Sequence, residues 1–209
     1  MSIQEAYNNW ASQYDTNKNR TRDLEGVALR AALKELSFEY CLEIGCGTGK
    51  NTEWLMRRAL QITAVDLSEE MLVRAEKKVS SNKVEFVQAD ITREWDFVEQ
   101  QQYDLVSFSL VLEHIADLDH VFKETAAALK QGGYVYIGEL HPFKQYAGTK
   151  ARFDTEEGRQ ELECYTHHIS DFVQTAKQYG LKLLDVNEYF DDNDRTGIPR
   201  ILTVLLQKG

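Results

Sequence analysis

Residues 42–52 read LEIGCGTGKNT, and the fold turns on how this stretch is parsed. An apolar run, YCLEI at 40–44, gives way to glycines at alternate positions, Gly45, Gly47 and Gly49, and then to a segment of helical period. That is a strand, a turn and the start of a helix. Glycines in such a turn remove Cβ atoms, so a ligand can reach main-chain N–H groups at a helix N-terminus. Two phosphate-binding patterns fail here. A P-loop needs G-x-x-x-x-G-K-[ST], whereas Ile44 stands at the first glycine position and Asn51 follows Lys50. A dinucleotide fingerprint needs a third glycine where Lys50 stands.

Working outward, short runs rich in β-branched and aromatic residues recur as ITAVD (62–66), VEFVQ (84–88), YDLVSFSL (103–110) and YVYIGEL (134–140). Between them the apolar spacing predicts helices over about 50–60, 69–79, 93–100 and 118–129. Ser68 is the expected N-cap of the second, with Glu69 and Glu70 in its first turn, where carboxylates suit the helix dipole. Strand and helix alternating at this spacing means βαβ units and a mainly parallel sheet. A helix over 170–179 precedes two closing runs, LKLLDVNEYF (181–190) and RILTVLLQ (200–207), which could pair as antiparallel strands at one side of the sheet.

Length and composition bound what such a chain can do. With 209 residues, 43% hydrophobic and 28% charged, it matches one globular domain with a proper core rather than a disordered chain. The net charge of -10 disfavours a nucleic-acid partner, since sequence-independent affinity rests on Lys and Arg displacing counterions. Cys41, Cys46 and Cys164 are odd in number and lack CxxC spacing, so neither disulfides nor a metal site is expected, and a cytoplasmic setting fits. The N-terminus lacks the pattern of a secretory signal, and the apolar run 105–112 is far below the ~20 residues of a membrane span.

Glu43-x-Gly45-x-Gly47-x-Gly49 resembles the first motif of the class I S-adenosylmethionine (SAM)-dependent methyltransferases, in their small-molecule, type 11/12-like branch. Three more features carry the resemblance over about residues 40–140: Asp66 closing the second strand, Asp90 in VQADI closing the third, and YDLVSFSLVLEHI at 103–115 followed by LKQGGYVYIGE. The resemblance implies a three-layer Rossmann-like α/β sandwich, with a mostly parallel seven-stranded sheet whose last strand is antiparallel. It also implies SAM as cofactor. Gly45, Gly47 and Gly49 would pack against the methionine portion and ribose, and Glu43 would orient the loop near the ammonium. Asp66 would hold the ribose, Leu67 and Met71 would line the adenine pocket, Asp90 and Ile91 would read the adenine, and the backbone of Ser109 and Leu110 would complete the methionine end.

Methyl transfer requires an aligned acceptor, exclusion of water and, for a protonated nucleophile, a base. His114, just after the fourth strand, is one candidate. In the similar phosphoethanolamine methyltransferases an N-terminal tyrosine and a histidine at this place latch over the site. Among Tyr7, Trp10 and Tyr14, Tyr14 is the expected partner of His114 and a candidate for both catalysis and cofactor contact. His141, at the end of the fifth strand, is the second candidate base and a substrate contact. The segment 141–168 is too long for a plain connection and reads as a substrate cap, offering Phe143, Tyr146, Arg152 and His167, with Lys144, Lys150 and Arg152 as cations for an acidic acceptor. One domain is expected over 1–209, with 1–39 as lid helices, 40–140 as the cofactor half and 141–168 as the cap. The expected activity is methylation of an O or N atom of a small molecule by a monomer or homodimer, with no nucleic-acid or membrane partner. Carbon or peptide methylation, a SAM-binding regulator that lacks catalysis and, more distantly, a nicotinamide enzyme are the alternatives.

Overall fold

The computed structural model describes residues 2–16, 18–149, 152–155 and 158–209, with 152–155 and 158–161 described by their backbone alone. In chain order the elements are α1 (Ile3–Tyr14), α2 (Arg20–Leu33), β1 (Tyr40–Ile44), α3 (Thr52–Leu55), β2 (Gln61–Asp66), α4 (Glu69–Lys78), β3 (Val84–Gln88) and β4 (Tyr103–Ser109). A 3₁₀ turn (Leu112–His114) follows, then α5 (Leu118–Ala128), β5 (Leu129–Leu140), α6 (Pro142–Tyr146), β6 (Arg152–Thr155), β7 (Gly158–Glu161), α7 (Ile169–Gln178), β8 (Leu181–Tyr189) and β9 (Ile201–Lys208).

Seven strands form one sheet in the order β3-β2-β1-β4-β5-β9-β8, and β6 and β7 form a separate hairpin. The first five pair in parallel, whereas β9 runs antiparallel to both β5 and β8. Alternation along the strands explains the layers. Leu42, Ile44, Val65, Val106 and Phe108 point to one face, where they meet Val121, Phe122 and Ala126 of α5 and Phe172 and Ala176 of α7. Cys41, Ile62, Ala64 and Leu105 point to the other and meet Leu29 and Leu33 of α2, Leu55 of α3 and Leu72 of α4. Each large side chain fully buried this way contributes roughly 1.5–3 kcal/mol. The three-layer α/β sandwich is as expected.

Ser68 does cap α4, accepting from the Met71 N–H at 3.2 Å. The expected helix over 93–100 is absent, and turns replace it. Trp95, Phe97 and Val98 all pack on the same core cluster, whereas residues two apart on a helix point to nearly opposite sides. Burial of Trp95 and partial burial of Phe97, their rings stacked 5.6 Å apart, override the weak helical pattern. The helix foreseen over 50–60 is a single α turn at 52–55.

The strand order reverses between β1 and β4: the chain moves one way through β2 and β3, then returns to start β4. Loops leaving the two strands' C-terminal ends therefore diverge and open a crevice, the usual ligand position in such sheets.

Candidate active site

The loop after β1 is held open by its own backbone. Gly45, Gly47 and Gly49 have φ of 72°, 54° and 80°, a left-handed conformation that side chains disfavour. Gly45 has a second constraint, because a β-carbon there would lie 2.1 Å from Cγ2 of Val111. The loops after β1 and β4 thus touch at Gly45. Across this junction Leu110 adopts φ of 58°, uncommon for a branched residue, and its N–H donates to Gly138 O at 2.8 Å.

Asp66 fixes the loop from the side. Its Oδ2 accepts from Gly47 N and its Oδ1 from Ser68 N, both at 2.8 Å. A carboxylate has about four acceptor positions, so each oxygen keeps capacity for a ligand hydroxyl. Burial raises the Asp66 pKa against these hydrogen bonds. At the far end, Asp90 Oδ1 accepts from Thr92 N and Oγ1 at 3.0 and 2.7 Å. Burial acts to raise Asp90, but the Thr92 and Arg93 bonds prevail and leave it lowered and ionised. Glu43 lies beneath the loop, accepting from Thr52 Oγ1 at 2.6 Å, and burial pushes it up to about 8.

Between these groups lies a cavity of about 480 Å³, within the ~300–1,000 Å³ typical of small-ligand sites. Gly45, Gly47, Asp66, Leu67, Met71, Asp90, Ile91, Ser109 and Leu110 line it, as does Tyr14. A narrow extension beside the glycine loop is lined by Glu43, Glu25, Arg22 and Lys50, among others. Helix α1 lies across the cavity. Ser2 starts it with a capping box to Glu5, Gln4 Nε2 donates to Leu67 O at 3.1 Å, Ser68 Oγ meets Asn8 Oδ1 at 2.6 Å, and Lys78 pairs with Asp15 at 2.5 Å. Ile3, Gln4, Tyr7 and Tyr14, spaced by three, four and seven residues, present one helical face to the cavity.

His114 completes the wall. Its Nδ1 faces Glu163 O at 3.2 Å and its Nε2 faces Tyr7 Oη at 2.8 Å. A carbonyl only accepts, so the proton belongs on Nδ1, and Nε2 offers its lone pair to the tyrosine hydroxyl. Burial lowers the His114 pKa, partly offset by the Glu163 carbonyl, and the ring is neutral. Tyr7 is raised well above its ordinary value by burial and by Tyr14 and Glu113.

A methyltransferase domain family matches residues 42–137. The ubiquinone biosynthesis O-methyltransferase of Coxiella burnetii is 28% identical over 162 residues, 72% of this chain and 67% of that protein. Among solved structures, an S-adenosylmethionine-dependent methyltransferase from Mesorhizobium loti superposes with a TM-score of 0.72 at 22% identity, covering 87% of this chain and 96% of the other. N-methyltransferase NodS from Bradyrhizobium japonicum, in complex with S-adenosylhomocysteine, gives 0.74 at 15% identity over 100% and 99%. The matched domain and these relatives support a class I SAM-dependent methyltransferase.

The partner of His114 is Tyr7, not Tyr14. The two tyrosines are two helical turns apart, about 10 Å along α1, and only the earlier one reaches the turn after β4. Tyr14 sits instead over the glycine loop, its ring edge 4.0 Å from where a β-carbon on Gly47 would be, with the Arg22 guanidinium 4.6 Å from the ring centre. Burial raises Tyr14 to about 12 despite Arg22. Gly49 does not line the cavity; it allows α4 to approach, since a β-carbon would meet Ala75 and Val79 at 3.2 Å.

The acceptor-side expectations fare worse. His141 is fully buried away from the cavity: Nδ1 caps α6 by accepting from Phe143 N at 3.1 Å, and Nε2 bonds Glu188 Oε1 at 2.9 Å. With both ring nitrogens engaged, it is a helix cap rather than a base poised in the crevice. His167 Nε2 reaches the carbonyls of Leu112 and Ile115 at 3.1 and 2.7 Å, bracing the back of the 3₁₀ turn. Phe143 and Tyr146 meet with tilted rings at the surface, about half exposed, and Lys144 lies 3.9 Å from Asp191. Lys150 and the Arg152 side chain lie outside the described residues.

Tyr7 and Gln4 are cavity residues that the sequence reading did not single out for the site, and so is Arg22. The periodicity of α1 was their one local signal; the pairings themselves span 107 residues for Tyr7 and His114 and 63 for Gln4 and Leu67.

Proposed function

We propose that this methyltransferase transfers the methyl group of SAM to an oxygen or nitrogen atom of a small organic molecule held beside His114. The observation that carries this reading is the 2.8 Å contact between Tyr7 Oη and His114 Nε2 in the wall of the cavity that Asp66 and Asp90 also line. The residues fit the cofactor. Asp66 keeps free acceptor positions for ribose hydroxyls, Asp90 stands at the opposite end for an adenine amino group, and the glycine loop leaves open backbone between them. Arg22 and Lys50 face the narrow extension where a carboxylate would lie, and Glu43 and Glu25 offer counter-charge to an ammonium.

When bound, SAM supplies a methyl group on a sulfonium that leaves as a neutral thioether. The chain's part is positioning, which can lower a barrier by roughly 7 kcal/mol or more, and removal of a proton. Tyr7 Oη takes the acceptor's proton as it gives its own to His114 Nε2; Nδ1 stays protonated against Glu163 O. Helix α1 covers the reacting groups and excludes water, so residues 1–39 act as a lid, 40–140 as the cofactor half and 141–168 as the cap of one domain. The relatives support oxygen or nitrogen as the acceptor atom: one is named an O-methyltransferase and another an N-methyltransferase. Among the described residues no helix is long and apolar enough to cross a membrane.

Calorimetric titration with SAM, S-adenosylhomocysteine and NAD tests the cofactor, with binding of the first two expected and binding of NAD alone overturning the reading. Transfer of labelled methyl from SAM into a panel of phenols, carboxylic acids and amines then identifies the acceptor. Label found only on carbon, or on protein, would reject the O/N assignment, and SAM binding without any transfer would mark a regulator.

A further inference from the structure

Beside His114 in sequence stands a carboxylate that the reaction as drawn does not use. Glu113 is buried, 8% exposed, in the 3₁₀ turn that carries the histidine. Its side chain hydrogen-bonds Gln145 of α6 and Cys164, its carbonyl accepts from Tyr165 N at 2.7 Å, and its Oε2 has no hydrogen-bond partner among the described residues. A buried acidic oxygen without a partner is costly, and packing does not require it, since glutamine would occupy the same space.

We propose that Glu113 is a positioning residue for methyl transfer: its carboxylate, 4.0 Å from His114 Nε2, is the buried counter-charge for the imidazolium that forms when Tyr7, taking the acceptor's proton, passes its own to His114. The inference rests on the reading of His114 as the base. Proton balance shows why a counter-charge matters. The acceptor loses a proton as its bond to the methyl carbon forms and the carbon–sulfur bond breaks with its electron pair left on sulfur. That proton enters the Tyr7 hydroxyl, and the Tyr7 proton goes to Nε2, which then bears a full positive charge in a largely buried ring. Nδ1 cannot release its proton to a carbonyl.

The groups around the imidazole identify which one answers that charge. From α1 comes the neutral Tyr7 hydroxyl, and from the segment before α7 come the Glu163 carbonyl and the Cys164 sulfur, the latter 4.0 Å from Nδ1; the uncharged Gln145 of α6 bonds Glu113 itself. From β5 comes Glu139, also buried, but its Oε1 accepts from Val111 N and Leu112 N at 3.0 and 2.8 Å and so serves the turn's backbone. Glu113 remains as the carboxylate facing Nε2. Burial raises it to about 7 and raises Glu139 to about 8, the latter also through Glu113, so Glu113 changes charge in the range where a histidine works. Two groups this close titrate as a pair rather than singly.

The test is an NMR titration of the full-length protein with ¹³C-labelled histidine, with and without S-adenosylhomocysteine, following the His114 ring signal assigned through His114→Gln. In wild type the signal is expected to move in two steps, one for its own protonation and one for Glu113. Glu113→Gln should leave one step, with the midpoint lowered by about one pH unit, and Glu113→Asp should restore part of the shift. A single step in wild type overturns the proposal, as does a midpoint that Glu113→Gln does not move. If the Gln variant fails to fold, the wild-type curve and the Asp variant decide alone. Once an acceptor is known, Glu113→Gln should lower kcat about tenfold and shift the pH–rate profile without changing KM for SAM. Failure of SAM to bind would overturn the methyltransferase reading and leave the titration result standing by itself.

Discussion

The two sides of the cavity are built by different means. The cofactor side is made of backbone: left-handed glycines, a strained Leu110 and a carboxylate whose oxygens hold main-chain N–H groups. The acceptor side is made of side chains that meet across long stretches of chain, Tyr7 with His114 and Glu113 with Gln145 and Cys164. Backbone geometry tolerates almost no substitution and is written into a few adjacent residues. Side-chain convergence tolerates exchange, and it is where relatives can differ in acceptor while sharing a fold.

The sharpest way to break the cofactor side is Gly45→Val. A branched residue at φ of 72° and 2.1 Å from Val111 combines strain and overpacking, about 3 kcal/mol or more together, so SAM affinity by calorimetry should fall at least ~100-fold. Next is Asp66→Asn, which sets an amide against two N–H donors. Losing charged hydrogen bonds of this kind costs roughly 2 kcal/mol, about 30-fold in SAM affinity. Tyr7→Phe probes the other side. It keeps the ring contacts with Trp10 and His114 but removes the relay, so methyl turnover should drop about tenfold with SAM affinity unchanged; equal loss of both would erase the contrast between the sides.

A pH experiment spans both. Glu43, on the cofactor side, and Glu113 and Glu139, on the acceptor side, are raised by burial to about 8, 7 and 8. Each holds its proton in the fold above the pH where the unfolded chain has released it. Their contribution to stability is therefore complete below about pH 4.5 and lost as pH rises to about 8. The thermal midpoint should fall between pH 5 and pH 9, and Glu43→Gln and Glu139→Gln should each flatten the curve. The smallest effect is expected for Gln4→Ala, which deletes one bond from α1 to Leu67 O. About 1 kcal/mol of local stability should appear as roughly fivefold faster amide exchange confined to α1.

The fold was legible because its signals are local. Strand boundaries at 40–44 and 84–88 follow from apolar runs of a few residues, and Ser68 announced its helix. The segment 93–100 misled because tertiary burial of Trp95, with Phe97 packed partly buried beside it, outweighed a weak period. On the acceptor side, a histidine's type does not reveal where its ring points. His141 and His167 have the chemistry of a base, but their nitrogens face Glu188 and two backbone carbonyls. Tyr14 was favoured over Tyr7 because nothing in the sequence fixes how far α1 slides along the sheet edge.

The position of α1 has a kinetic side. Gln4, Tyr7 and Tyr14 of α1 line one side of the cavity, and lifting the helix would part Tyr7 from His114. Where exchange of spent cofactor requires that lift and sets the pace, the steady-state rate should slow in proportion to solvent viscosity.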